Sequence, residues 1–201
     1  MCMNISDNLR CIFIHIPKVA GTSIKQALAL PGQGHPFWQY FARTYPEKWR
    51  SYRKFTVIRN PWDRAVSAYC YAMMKESYWH SADTWLHPDF QTLKDKSFDE
   101  FCQILLTQRN TLKHESWYPQ YPWVTTQSDG EIFFVVNDIL RYETLNRDFE
   151  NLTEKLGVPD LKLPHVNKTN RSDYRKYYNK KTRDIISQIY RPDIELFQYS
   201  Y

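Results

Sequence analysis

Glycine is scarce in this chain: five residues in 201, against eleven prolines. With no Ser/Gly-rich stretch and no internal repeat, nothing reads as a flexible linker. Residues 1–201 are therefore expected to form one domain, long enough to bury a substantial core. Long apolar runs are missing as well. None approaches the ~20 residues that span a bilayer. Asn4, Asp7 and Arg10 deny the N-terminal segment the apolar stretch of a signal peptide or membrane anchor. The four cysteines, Cys2, Cys11, Cys70 and Cys102, form no CxxC pair and no Cys/His group at metal-ligand spacing, so no metal site is expected. Cys11, Cys70 and Cys102 sit in apolar patterns, as buried thiols do. Together these absences predict a soluble, reduced and cytoplasmic protein. Nucleic acid is set aside as a partner, because no helix-turn-helix, zinc-finger or RNP pattern occurs.

What is present is more specific. Fifteen Tyr, eleven Phe and seven Trp call for either a Tyr-rich core and surface or an aromatic-lined cleft for a flat or ring-shaped ligand. A net charge of +5 points to anionic partners. Basic residues concentrate between Lys162 and Arg183, where eight Lys/Arg face a single acid, Asp173. A solvated helix face explains much of that run.

The order of elements predicts an α/β domain, a single P-loop-like unit with a central, mostly parallel sheet flanked by helices. Residues 10–16 form a continuous apolar run suited to a central parallel strand. Thr22 to Leu30 follows as a helix with Ile24, Ala27 and Leu28 on one face, stopped by Pro31-Gly32. Residues 33–53 read as irregular and aromatic. Lys54 to Arg59 is a second strand, and Asn60-Pro61 opens a second helix as N-cap and first-turn residue. Residues 77–96 and 108–130 read as long loops around a helix from Phe98 to Leu106, and long irregular segments are more often functional than idle. Glu131 to Tyr142 holds a third strand. Helices over Leu145–Leu156, ended by Gly157, and over Asn179–Tyr190 complete the pattern.

Two strand-turn-helix units carry the chemistry. In the first, Pro17-Lys18-Val19-Ala20-Gly21-Thr22-Ser23 follows the buried strand. A helix start offers unpaired N–H groups, here those of residues 20–23, and a positive dipole end. Lys18 adds a mobile charge, while Thr22 and Ser23 add hydroxyls. The layout is that of a phosphate socket, yet it lacks the GxxxxGK[ST] order of a nucleoside-triphosphate P-loop and has no evident Walker-type Asp. In the second unit, RNPWDRAVSAY, Arg59 ends the strand and Ser67 lies eight residues on, along the helix. Arg59 can fork onto a phosphate and Ser67 can add a hydroxyl. Arg64 is expected to face solvent or pair with an acid. Because parallel sheets bind ligands at the carboxyl ends of their strands, both units aim at one edge. Two anion sites there suit a nucleotide with phosphates at both ends of its ribose.

These residues carry a family resemblance. His15 to Ile24 (HIPKVAGTSI) resembles the 5′-phosphosulfate loop of sulfotransferases that use 3′-phosphoadenosine 5′-phosphosulfate (PAPS), and RNPWDRAVSAY resembles their 3′-phosphate motif. The similarity is strongest to the carbohydrate branch that includes the chondroitin, dermatan and heparan 2-O enzymes. SFDEFCQILL, ILRYETLNRDFENLTEKLGV and LPHVNKTNRSDYRKYY are also similar, so the likeness runs from about residue 11 to the C-terminus.

The resemblance implies sulfuryl transfer from PAPS, as co-substrate and without a metal, to a hydroxyl-bearing acceptor, a carbohydrate in that branch. In-line displacement puts charge on the leaving phosphate oxygen, which Lys18 and the adjacent N–H groups are placed to meet. Arg59 and Ser67 would hold the 3′-phosphate. Asn167 and Lys168 fall in a segment that lies near the nucleotide in relatives, with His165 and Arg171 beside them. The general base is where this chain departs from its relatives, which often carry His-aromatic-x-Pro-Gln. Here the frame reads Ser116-Trp117-Tyr118-Pro119-Gln120. His114 is the base candidate two residues upstream; a bystander surface His is the competing account. Glu115 is the reserve. His15 reads as structural, at the end of a buried strand. His80 and His87 read as surface residues of the long loop, within reach of an acceptor.

Two other functions fit parts of the pattern. An atypical small-molecule or nucleotide kinase would need magnesium and its carboxylate ligands. A glycan- or polyanion-binding module that has lost its base would draw support from Ser116.

Overall fold

A computed structural model describes residues 3–76, 86–164 and 172–201. In chain order they form β1 (Ile5–Ser6), β2 (Cys11–Ile14), α1 (Gly21–Ala27), α2 (Trp38–Thr44), α3 (Pro46–Ser51), β3 (Arg53–Ile58) and α4 (Pro61–Ala72). There follow α5 (Phe90–Leu93), α6 (Phe98–Thr107), β4 (Thr125–Ser128), β5 (Glu131–Phe134), β6 (Asp138–Arg141), α7 (Leu145–Lys155), α8 (Lys180–Ile189) and α9 (Arg191–Leu196), with short 3-10 turns between. The chain divides into two compact units, Met1–Arg59 with Gln120–Lys168, and Asn60–Pro119 with Thr169–Tyr201.

The first unit is built on a four-stranded sheet in the order β1-β2-β3-β6. β2, β3 and β6 run parallel, and β1 pairs antiparallel with β2. The apolar run of β2 is continuous because all four of its residues are buried, as in a strand covered on both faces. Phe13 lies opposite Phe55 in the register, their rings stacked 5.0 Å apart, and the Thr56 hydroxyl donates to the Ile14 carbonyl at 2.8 Å. α7 follows β6. Asp148 in its first turn accepts from the Arg141 N–H and the Thr144 hydroxyl, tying helix to strand. The expected α/β class, with a mostly parallel central sheet, is what the chain adopts.

Two stretches of this unit differ from the sequence-based expectation. Residues 33–53 are not irregular but hold α2 and α3. These helices have seven and six residues and bury only Phe41 between them, so no apolar stripe announces them. Glu131 to Tyr142 is not one strand but two. Asp129 and Gly130 both have positive φ (53° and 82°), the conformation of a tight hairpin turn, and fold β5 back on β4. Ile132, Phe133 and Phe134 are about half exposed there, and β6 alone joins the main sheet. Apolar content marked the stretch as one strand but could not show that it breaks in two and serves two sheets.

The second unit is helical. α4, α6 and α8 meet around Trp62, Val66, Phe101, Leu105, Ile186 and Tyr190. Each helix is started by side chains. Asn60 accepts from the N–H groups of Trp62 and Asp63, Ser97 and Glu100 form a reciprocal box, and Asn179 and Thr182 form another. Such caps stabilise by about 1 kcal/mol each. The Tyr178 hydroxyl donates to the Trp62 carbonyl at 2.9 Å, and burial raises its pKa above the usual phenol range. Arg64 does not face solvent, one of the two places expected for it. It is 1% exposed and donates to the Ser116 and Tyr118 carbonyls at 3.1 and 3.0 Å. Carbonyls of an irregular loop have no ladder to join, and a guanidinium fork can satisfy two at once.

Many aromatics of both units, including Phe13, Phe41, Phe55, Phe101, Trp117 and Trp123, are buried core residues. No helix among the described residues is long and apolar enough to cross a membrane.

Candidate functional site

Where β2 ends, the chain turns sharply. Lys18 and Ala20 adopt left-handed backbone, with φ of 70° and 67°, and α1 begins at Gly21. Such residues cost roughly 1–3 kcal/mol each and persist only where surroundings enforce them. Gly21 is enforced by sterics: a Cβ there would lie 1.8 Å from the Nε2 of His15. His15 is buried, stacked on Phe13 at 5.1 Å and tilted against His35 at 4.4 Å. Burial, then the neighbouring charges of His35, Lys25 and Lys18, hold its pKa well below the ordinary imidazole value, so the ring is neutral. Its Nδ1 has no hydrogen-bond partner among the described residues. That fits the structural role expected of His15, as the plate under which the turn passes.

Pro17, Lys18, Ala20, Gly21, Thr22 and Ser23 thus share one tight turn, with Lys18 and Thr22 half-buried and Ser23 buried. The expected row of amides is shortened. The Ser23 N–H already donates to the Ala20 carbonyl at 3.1 Å, so Ser23 brings its hydroxyl rather than its amide.

Arg59 follows β3 directly and is 5% exposed. Its Nη1 donates to the Lys18 carbonyl at 3.0 Å, and its guanidinium lies 3.9 Å from the centre of the Tyr142 ring. Lys18, Arg59 and Tyr142 each follow the carboxyl end of one of three adjacent parallel strands, β2, β3 and β6. This is where an open parallel sheet offers its binding crevice. Tyr142 was not foreseen as a site residue. The signal was available in its position, since it follows β6 as Lys18 and Arg59 follow β2 and β3. Gln120 was likewise only part of a quoted frame, yet it holds both backbone groups of Arg59: the Arg59 N–H donates to Oε1 at 2.9 Å and Nε2 donates to the Arg59 carbonyl at 2.8 Å.

The remaining candidates belong to the second unit or lie outside the described residues. Ser67 sits on α4, 5% exposed. His114 is half-buried beside a 3-10 turn (Glu115–Trp117); its Nδ1 accepts from the Ser116 N–H at 3.0 Å and lies 2.7 Å from the Ser116 Oγ. Glu115 is half-buried next to it. The whole segment hangs on Asp89, which sequence reasoning missed. This carboxylate, 1% exposed, accepts from the Lys113 N–H (2.7 Å), the His114 N–H (3.0 Å) and the Trp117 Nε1 (2.7 Å). A lone acid in a loop gives no sequence signal for such a role. His87 is not the surface residue expected: it is 2% exposed, its ring 4.6 Å from that of His114 and edge-on to Trp117. His80, His165, Asn167, Lys168 and Arg171 lie outside the described residues.

The sulfotransferase family model matches residues 2–200, nearly the full length. The chain belongs to the sulfotransferase family. Among curated relatives, carbohydrate sulfotransferase 11 of Mus musculus and of Rattus norvegicus are each 23% identical to it over 244 aligned residues. Those alignments take in 98% of this chain and 66% of each relative, so the chain spans just under two thirds of their length. The family model crosses both units, and the Lys18 turn and the Arg59 strand end lie within it.

Proposed function

We propose that this sulfotransferase transfers a sulfuryl group from PAPS to a hydroxyl of an acceptor, most readily a carbohydrate given what its curated relatives are called. Residues 1–201 then act as a single sulfotransferase-like domain. The observation that carries the proposal is the clustering of Lys18, Arg59 and Tyr142 past the ends of β2, β3 and β6, within a chain matched end to end by the family model. Lys18 meets the charge that develops on the leaving 5′-phosphate oxygen, together with the amides of Ala20, Gly21 and Thr22 and the hydroxyls of Thr22 and Ser23. Pro17 stiffens the entry to that turn. Arg59 holds the 3′-phosphate. Ser67, Asn167 and Lys168 join the donor site on the strength of their motifs alone.

His114 is the proposed base. Because Nδ1 accepts from the Ser116 amide, the neutral ring carries its proton on Nε2. The nitrogen with a lone pair is the one beside the Ser116 hydroxyl, 2.7 Å away. A proton leaving the acceptor therefore reaches His114 through Ser116, whose own hydroxyl proton passes to Nδ1 as it accepts the new one. Ser116 stands where relatives often carry His, so the seat is filled by a hydroxyl backed by an imidazole. Three free thiols, Cys11, Cys70 and Cys102, favour a reducing, cytoplasmic setting.

Calorimetry with adenosine 3′,5′-bisphosphate provides the test. Binding without magnesium is expected, lost in Lys18→Ala and weakened in Arg59→Ala. No binding overturns the proposal, and binding only of ATP with magnesium overturns it in favour of kinase chemistry. Ser116 also favours a second reading, a glycan-binding module without turnover. Nucleotide affinity with no sulfated product from any hydroxyl acceptor would support that one.

A further inference from the structure

The last residue pair of the β3–β6 ladder is Ile58 with Arg141, so Arg59 lies one step beyond the sheet. Its peptide N–H and carbonyl have lost their ladder partners, yet the residue is 5% exposed. Buried backbone groups in that position need substitutes. Gln120 provides both, with Oε1 accepting from the Arg59 N–H at 2.9 Å and Nε2 donating to its carbonyl at 2.8 Å. Gln120 is itself 0% exposed. A side-chain amide matches a peptide in presenting one acceptor and one donor side by side. Glu presents two acceptors, Met presents neither, and Asn falls one methylene short.

The consequence reaches further than the backbone. With its peptide clamped, Arg59 places its guanidinium on the Tyr142 ring and donates to the carbonyl of Lys18, a residue in left-handed conformation. We propose that Gln120 is a positioning residue of the donor site: it extends β3 by one residue and so aims Arg59 at the donor's phosphate and braces the Lys18 turn. Gln120 does not touch the nucleotide in this scheme; it acts through Arg59. The inference rests on the donor reading above.

The experiment measures affinity of the full chain for adenosine 3′,5′-bisphosphate, without magnesium, in Gln120→Ala, Gln120→Glu, Arg59→Ala and the Arg59→Ala/Gln120→Ala double variant. Loss of one buried, hydrogen-bonded aim should weaken binding by about tenfold in Gln120→Ala. In the Arg59→Ala background the same change should cost less than about twofold, because the residue it acts through is gone. Gln120→Glu should bind poorly at pH 8, where a carboxylate faces the Arg59 carbonyl, and recover relative to the unaltered chain at pH 5.5, as the protonated acid donates again. A purely structural role would not move that ratio. Losses that multiply in the double variant, or a Gln120→Glu ratio independent of pH, overturn the inference. Should Gln120→Ala fail to fold by circular dichroism, the Gln120→Glu ratio decides alone. Binding abolished by Lys18→Ala but indifferent to Gln120 overturns only this inference. Absence of binding by the unaltered chain overturns the donor reading, and this with it.

Discussion

The Lys18 turn and the His114 segment solve the same problem, holding polar groups in irregular chain, by opposite means. At Lys18 the backbone does the holding. Two residues sit at positive φ, and Gly21 accommodates a histidine ring where a Cβ would collide. At His114 the backbone is unstrained, with φ of −85°, and buried side chains do the holding: Asp89 gathers two amides and an indole N–H, while Arg64 satisfies two carbonyls. The difference teaches why only the first is recognisable as a motif. Strained backbone demands particular residues in consecutive positions. A side-chain scaffold draws on residues scattered along the chain, and its members look ordinary one by one.

The sharpest way to separate the two is activity. His114→Ala should lower turnover by about two to four orders of magnitude while affinity for adenosine 3′,5′-bisphosphate stays unchanged. Ser116→Ala should follow it if the proton passes through that hydroxyl. Steady-state kinetics beside calorimetry checks this, and unchanged turnover in both variants would move the base elsewhere.

Next is stability. Asp89→Ala strands the buried indole N–H of Trp117 and frees the part-buried amides of Lys113 and His114. An unsatisfied buried donor costs about 1–3 kcal/mol, so a loss of roughly 3 kcal/mol is expected in denaturant melts. A loss within about 0.5 kcal/mol, as for an ordinary surface substitution, would mean the segment is held by something other than Asp89.

The smallest effect belongs to His15. Its pKa is lower in the folded chain than in the unfolded one, chiefly through burial. As pH falls through about 6.5 the unfolded state takes up a proton that the folded state refuses, so stability falls on acidification by at most about 1.4 kcal/mol per pH unit. Thermal melts at pH 7.5 and 5.5 should differ less in His15→Gln than in the unaltered chain. Identical differences would show that the buried ring does not contribute.

Much of the first unit, and the opening of the second, was legible. Four buried apolar residues marked β2, and the Lys54–Arg59 run marked β3 to within one residue. Asn60, Pro61 and Gly157 marked helix ends because caps are local chemistry. The errors have a common cause. α2 and α3 are too short to show a stripe, and β5 is apolar without being buried. Arg64 was misread because charge predicts exposure only when no buried carbonyl is waiting for it.

What the sequence determined by itself was the α/β alternation, the parallel strands, the capped helices and the two short motifs that place the chain among sulfotransferases. These follow from periodicity, capping and turn chemistry, all acting within a few residues. Only the tertiary structure decided that Lys18, Arg59 and Tyr142 converge, that Gln120 clamps Arg59 from 61 positions away, and that Asp89 gathers donors 24 to 28 positions distant. The reason is that a buried polar group must be satisfied by whatever the fold brings beside it. Neither the identity of that partner nor its distance along the chain is written in any local pattern.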